Sequence, residues 1–213
     1  MPAEGARVDE LRDACLRELR GWTVVAPVEL AHALIEAGAT QRRHATLMTH
    51  DLRHVPAEVD PRIVPLTLGA GDLLPAYRRA YKPDHPDYAF ASQEDPLGKL
   101  MSGELIGPVL ACSRMAVVEN QVVGAAIVND FPGEPPDAGP WLAEIFRDPA
   151  HAGVGRALLR GVLKAAAADH RPALGLVVSG GNPAAGLYRD EGFRVVREDI
   201  SVDVPGSIER SDG

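Results

Sequence analysis

His151–His170, HAGVGRALLRGVLKAAAADH, is the stretch on which the reading of this chain turns. Its body is a good helix former. Leu158, Leu159, Val162 and Leu163 supply apolar contacts, and Arg156, Arg160 and Lys164 recur at i, i+4 and i+8 as one basic stripe. Its start is poor. Gly153 and Gly155 bracket Val154, no Ser, Thr, Asp or Asn stands just before them, and Asp148 caps only a helix that runs through both glycines. The first turn of a helix leaves N–H groups without intrahelical partners. An anion satisfies such donors well, and glycine lets backbone approach a phosphate because no Cβ intervenes. A glycine turn packed tightly on a sheet reads the same way, and Gly-x-Gly alone does not separate the two. Two phosphate motifs fail outright: Gly98-Lys99 is followed by Leu100, so there is no Walker loop, and Leu158 stands where a dinucleotide fingerprint needs its third glycine.

Outward from this helix, the pattern alternates strands and helices. WLAEIFR (141–147) precedes it as a strand, ALGLVV (173–178) follows as a buried strand, NPAAGLYRDE (182–191) is a helix stopped by Gly192, and FRVVREDISVDV (193–204) is the last strand. Upstream, 109–118 and 122–130 form a hairpin about Glu119-Asn120-Gln121. RIVPL (62–66) is a short strand and GAGDLLPAYRRAY (69–81) a helix, while 82–108 is irregular with one short helix around 97–105. Residues 7–20 read as an amphipathic helix, WTVVAP (22–27) as a buried strand, 28–37 as a helix closed by Gly38, and ATQRRHATLMTHDL (39–52) as a strand. RHVPAEVDPR (53–62) is the best candidate boundary. The whole is an α/β (α+β) chain with a mixed, mostly antiparallel sheet flanked by helices.

The chain has 213 residues and a formal net charge of −8, with 46% apolar and 24% charged residues. The acidic balance argues against a nucleic-acid partner. Two cysteines, Cys15 and Cys112, make neither a disulfide framework nor a zinc motif, which fits a reduced, cytoplasmic setting. The polar N-terminus carries no signal-peptide pattern and no apolar run is long enough to span a membrane, so no membrane partner is expected. His44, His50 and His54 lie at loose spacing without a carboxylate partner in an HExxH arrangement, and no metal site is expected.

There is also an internal echo. A shift of 154 residues lays Gly38 on Gly192, VELAHALIEA on NPAAGLYRDE, and ATQRRHATLMTH on FRVVREDISVDV. Any strand–helix–glycine–strand unit gives a similar outline, so duplication and coincidence both remain open at this level.

DPAHAGVGRALL followed by NPAAGLYRDEGFRVV resembles the GNAT superfamily of acyl-CoA-dependent N-acyltransferases. The likeness covers about residues 62–204, with the two motifs in order and separated by a helix and a strand. It implies a GNAT-like splayed sheet holding acyl-CoA, its pyrophosphate on the glycine turn. The cofactor-binding residues so implied are His151, Ala152, Gly153, Val154, Gly155 and Arg156, with Asn182 reaching the pantetheine arm. Ala150 stands where the family signature has Gln or Arg, a contact for which Arg156 is the candidate replacement. In residue terms alone, Asn182-Pro183 is a helix start, with Asn as cap and Pro at the first helical position. Gly192 is a left-handed stop.

The resemblance implies transfer of an acetyl group from acetyl-CoA, as co-substrate, to a primary amine of a small molecule or peptide. The attacking amine must lose a proton. Glu144 is the candidate base, its alternative being a surface carboxylate on an edge-like face. His151 is a second candidate, though its place beside the glycine turn favours the cofactor. The family's oxyanion donor is a backbone N–H of the splayed strand, here near Phe146 or Arg147. Tyr188, in LYRDEGF, is the implied general acid for the thiolate, against the alternative of a ring packed on the sheet; Phe193 packs in the core. Acidic residues between Asp84 and Glu104 (with Asp87, Glu94 and Asp95) suit a cationic acceptor or are a solvated loop. Expected domains are 1–55, an N-terminal helix plus a strand–helix–strand segment that echoes half a GNAT domain; 56–204, the acetyltransferase domain; and 205–213, a flexible tail. Val28 and Leu34 stand where Asn182 and Tyr188 stand in the echo, so the first segment is expected to be structural. A monomer or homodimer is expected. The competing function is a non-catalytic acyl-CoA-binding or protein-interaction module.

Overall fold

The computed structural model describes residues 4–85 and 87–206, so the end of the expected tail, from 207 on, lies outside the described residues. The elements in chain order are α1 (Glu4–Glu18), β1 (Thr23–Pro27), α2 (Val28–Glu36), β2 (Thr40–His50), β3 (Ile63–Pro65), α3 (Ala70–Ala80), α4 (Tyr88–Ala91) and α5 (Pro96–Met101). They continue as β4 (Arg114–Val118), β5 (Gln121–Phe131), β6 (Gly139–Arg147), α6 (Val154–Ala168), β7 (Leu174–Ser179), α7 (Ala184–Asp190) and β8 (Arg194–Asp203). The described residues fall into two compact units: 4–47 with 178–180 and 195–206, and 48–85 and 87–177 with 181–194.

In the first unit the hydrogen-bonded strand order is β1-β8-β2 followed by the end of β7. β1 runs antiparallel to β8, from Thr23 opposite Asp203 to Pro27 opposite Asp199. α2 buries Ala31 and Leu34 against Ala26, Ile200 and Val202. The reading of 22–27 as a buried strand is corrected here: β1 is an edge strand, and Trp22 and Val25 are 68% and 66% exposed. A short apolar run bounded by turns has the same appearance in an edge strand as in a core strand.

The internal echo has a structural counterpart. Shifting by 154 carries Glu36, the end of α2, onto Asp190, the end of α7, and Thr40, the start of β2, onto Arg194, the start of β8. Both helices stop alike. Gly38 (φ +101°) donates to the Ile35 carbonyl while Ala39 donates to Leu34; Gly192 (φ +95°) donates to Arg189 while Phe193 donates to Tyr188. This is the Schellman arrangement, in which the residue after the cap must be left-handed and glycine enters it without a Cβ penalty.

In the second unit the strand order is β7-β6-β5-β4-β3. β4 and β5 turn through Glu119 and Asn120 alone, both at positive φ (48° and 62°), a two-residue hairpin turn that matches the twist of its strands. The hairpin is shorter than its sequence outline: β4 starts at Arg114, and Val109 meets Asn129 only through an isolated bridge. β5 and β6 pair antiparallel, with Ile127 opposite Glu144 but Val128 opposite Leu142, so Ala143 is an extra, bulged residue on β6. On its other side β6 is parallel to β7 and meets it at one point, Trp141 opposite Gly175. Past that point the two strands part. α3 packs Leu73, Ala76 and Tyr77 onto Ala125, Ile127 and Phe146.

Candidate active site

The bulge in β6 falls at Ala143, one residue before Glu144. Glu144 is buried, not a surface carboxylate. Tyr81 Oη donates to its Oε1 at 2.5 Å, and Tyr77 Oη donates to its Oε2 at 3.4 Å. Burial raises the carboxyl pKa from 4.5 to about 7; the tyrosine hydrogen bonds work against that shift and the nearby charge of Asp87 adds to it. Desolvation and the Glu144 charge push Tyr77 and Tyr81 above the usual phenol range, so both are donors at neutral pH. The tyrosine rings are fixed by aromatic contact: Tyr77 lies 4.8 Å from Tyr81 and edge-on to Phe146 at 5.1 Å.

Tyr188, on α7, is 6% exposed and stacks obliquely on Phe193 at 5.7 Å. Desolvation raises its pKa, and the charges of Glu144 and Asp87 add to the shift, which puts it within electrostatic reach of both. Its hydroxyl has no hydrogen-bond partner among the described residues. Ring packing and an unengaged hydroxyl therefore coexist.

β6 runs directly into the glycine turn. Asp148 accepts from the Ala150 N–H at 2.9 Å and from Arg79 at 2.5 Å, which orders the turn upstream of the glycines. Gly153 occupies the N-cap of α6 in the left-handed region (φ +81°, ψ −18°), and no side chain caps the helix. A Cβ placed on Gly153 meets nothing within 4 Å, so the space over the turn is open. The N–H groups of Ala152, Gly153, Gly155 and Arg156 have no acceptor among the described residues, while Val154 donates weakly to His151 at 3.4 Å. These donors, at the positive end of a 15-residue helix, can hold a pyrophosphate.

One expectation for this region is corrected. The Arg156 guanidinium does not stand in for the missing side chain at Ala150. It pairs with Glu191 and with Asp190 (2.9 Å) at the end of α7, and Arg160 joins Glu191 at 2.8 Å. Asn182 caps α7 as its sequence suggests, ahead of Pro183, which already has helical angles (φ −62°, ψ −19°). Asn182 Oδ1 accepts from the Ala184 N–H at 2.9 Å, and Asn182 Nδ2 donates to Asp87 Oδ2 at 2.8 Å, tying α7 to the segment after α3.

Arg147, at the end of β6, donates through Nη1 to the carbonyls of Asp148 and Pro149, and its Cδ lies 3.8 Å from where a Cβ on Gly155 would stand. It is the cation adjoining the glycine turn. Phe146, the other candidate beside the oxyanion position, is 4% exposed and locked against Tyr77. Where β6 leaves β7, its β7-facing edge has no strand partner among the described residues. His151 is half-buried within the turn, its N–H donating to Asp148. Tyr77 and Tyr81 escaped the sequence reading. Their i, i+4 spacing on a helix was visible, but the carboxylate they share lies more than sixty residues downstream. No grouping of three or more His, Cys, Asp or Glu fit to hold a metal occurs among the described residues, and no helix there is long and apolar enough to cross a membrane.

No protein-family model and no curated protein matches the sequence. Solved structures do match the fold. A GCN5-related N-acetyltransferase from Sphaerobacter thermophilus aligns at TM-score 0.61 and 18% identity over 88% of this chain, which spans 62% of that protein's length. A GCN5-related N-acetyltransferase from Kribbella flavida aligns at TM-score 0.54 and 18% identity, over 97% of this chain and 77% of the other. A tandem GNAT protein from the clavulanic acid biosynthesis pathway aligns at TM-score 0.57 and 17% identity, over 97% and 72%. At these identities the likeness is one of architecture: the chain has the GNAT fold, a mixed α/β arrangement with a mostly antiparallel open sheet.

Proposed function

We propose that this GNAT-fold chain is an N-acyltransferase that moves an acetyl group from acetyl-CoA to a primary amine. The observation that carries the reading is that one strand, β6, supplies a buried carboxylate with a pKa near 7 and then runs straight into an uncapped glycine turn with four idle N–H donors. Chemistry and anchorage are thereby adjacent. Acetyl-CoA, when bound, supplies the thioester carbonyl.

The chain's own residues divide the work. The N–H groups of Ala152, Gly153, Gly155 and Arg156 bind the pyrophosphate, with Arg147 as the neighbouring cation. Glu144, about half ionised near pH 7, takes the proton that the amine nitrogen must lose. The free edge of β6 near Phe146 and Arg147 offers a backbone N–H to the charge that develops on the carbonyl oxygen. Tyr188, kept protonated by its raised pKa, gives its proton to the departing sulfur. The balance closes: a C–N bond forms, the C–S bond breaks, one proton leaves nitrogen and one reaches sulfur. The segment 1–55, with no Gly-x-Gly turn and with Leu34 in the echo position of Tyr188, serves a structural role.

The experiment is a thiol-release assay with acetyl-CoA and a broad set of primary amines, beside calorimetric titration of acetyl-CoA alone. Binding with amine-dependent thiol release is the expected outcome. Binding without release from any amine supports a non-catalytic acyl-CoA module instead, a reading favoured by Ala150 and by the diversion of Arg156 to α7. Absence of binding at millimolar acetyl-CoA overturns both.

A further inference from the structure

Beside the tyrosine pair lies a cavity of about 550 Å³, the size of a pocket for a compact metabolite. Tyr77, Tyr81 and Tyr88 wall it, and the first two are the residues that hold Glu144. Its charged lining is unequal. Arg78 and Lys82 face it as cations, whereas the one carboxylate there, Asp95, is spent on capping α5 by accepting from the Gly98 N–H at 3.1 Å. Neighbouring cations are engaged: Arg79 with Asp148, Arg156 with Asp190 and Glu191, Arg160 with Glu191. Arg78 and Lys82 have no ion-pair or side-chain hydrogen-bond partner among the described residues. They follow Tyr77 and Tyr81 by one residue each, Arg78 in the last turn of α3 and Lys82 just past its end.

We infer that the acceptor is an amine carrying an anionic group: its nitrogen is presented to the Glu144–tyrosine cluster, and its carboxylate or phosphate is met by Arg78 and Lys82 in the aromatic-walled cavity. This rests on the acyltransferase reading above and narrows it. It also reverses the hint given by the acidic residues of 84–104. Of the Asp and Glu in that stretch, only Asp95 is among the residues lining the cavity, whereas both lining cations lack a partner among the described residues. A purely cationic polyamine would meet like charge at this wall, and a neutral alkylamine would leave both cations without a counter-charge.

The test uses the full chain with acetyl-CoA and a panel of amino acids, each beside its carboxamide and its decarboxylated amine, together with 2-aminoethyl phosphate and 1,3-diaminopropane. The expected result is a kcat/KM for the best anionic amine about tenfold or more above that of its neutral counterpart, the scale of one well-placed charge pair. The phosphate arm shows which anion is preferred. Arg78→Met/Lys82→Met is expected to raise KM for the anionic amine and close the gap, with KM for acetyl-CoA unchanged. Equal turnover of charged and neutral partners, preference for the diamine, or a gap that survives in the double variant overturns the inference and leaves the acyltransferase reading intact. Acetyl-CoA binding with no thiol release from any member of the panel overturns the acyltransferase reading, and this inference with it.

Discussion

Tyr81 donates to Glu144 Oε1 at 2.5 Å, and the carboxylate that receives it is buried while its pKa stands near 7. A general base tuned to the working pH is most effective there. The kcat/KM profile is therefore expected to rise with pH and to level off with an apparent pKa of about 7. Glu144→Gln should remove that limb and lower kcat/KM by roughly 10²–10³. Initial rates between about pH 5.5 and 8.5 check this, and a flat profile removes Glu144 from the role.

The same residue makes a stability prediction with a definite sign. The folded carboxyl binds its proton more tightly (pKa about 7) than the ordinary value of 4.5. Its contribution to stability is thus fully present below about pH 4.5 and is lost as pH rises through about 7. The difference amounts to about 3 kcal/mol, at 1.36 kcal/mol per pKa unit. Glu144→Gln removes the charge while keeping an amide for the tyrosines. It should unfold at a higher urea concentration than the parent at pH 8 and lose most of that advantage at pH 5. A variant weaker than the parent at both values contradicts the buried-charge account.

Tyr188→Phe deletes a hydroxyl that has no partner among the described residues and keeps the ring against Phe193. The melting temperature should hardly move, a change within about 0.5 kcal/mol. The loss should appear in kcat, by roughly 10²-fold, as expected for removal of a general acid. Unchanged turnover would leave Tyr188 as a packing residue alone.

Gly153→Ala separates conformation from bulk. An added Cβ meets nothing within 4 Å, yet φ is +81°, a region that costs an L-residue about 1–2 kcal/mol. The turn is expected to relax and re-aim its N–H groups, raising KM for acetyl-CoA about tenfold while the amine KM stays put. Calorimetric titration of acetyl-CoA gives an independent reading; undiminished affinity would show that the turn does not hold the pyrophosphate.

How much of this was legible in the sequence depends on the distance over which each feature is set. The uncapped start of α6 and the glycine stop at Gly192 are local, since periodicity and cap chemistry act within a turn or two, and both stand in the structure as read. The Glu144 cluster is not local. Tyr77 and Tyr81 reach it across 67 and 63 residues, through the β5–β6 register and a bulge that no sequence pattern announces. The partner of Arg156 is non-local in the same way: Glu191, 35 residues away, takes the guanidinium that stands in sequence as the candidate replacement for the side chain missing at Ala150. The edge position of β1 was equally hidden, because apolar content does not reveal which strands flank it.

The strand order β1-β8-β2 has a consequence for how the chain comes into being. Thr23 meets Asp203 across 180 residues of sequence. At roughly 5–20 residues per second on the ribosome, β1 and β2 wait some ten to forty seconds for the strand that belongs between them. Until then both expose unpaired backbone edges, the usual template for aggregation. Such a high contact order implies slow closure of this part of the sheet, with β8, made long after its two neighbours, the strand that completes it.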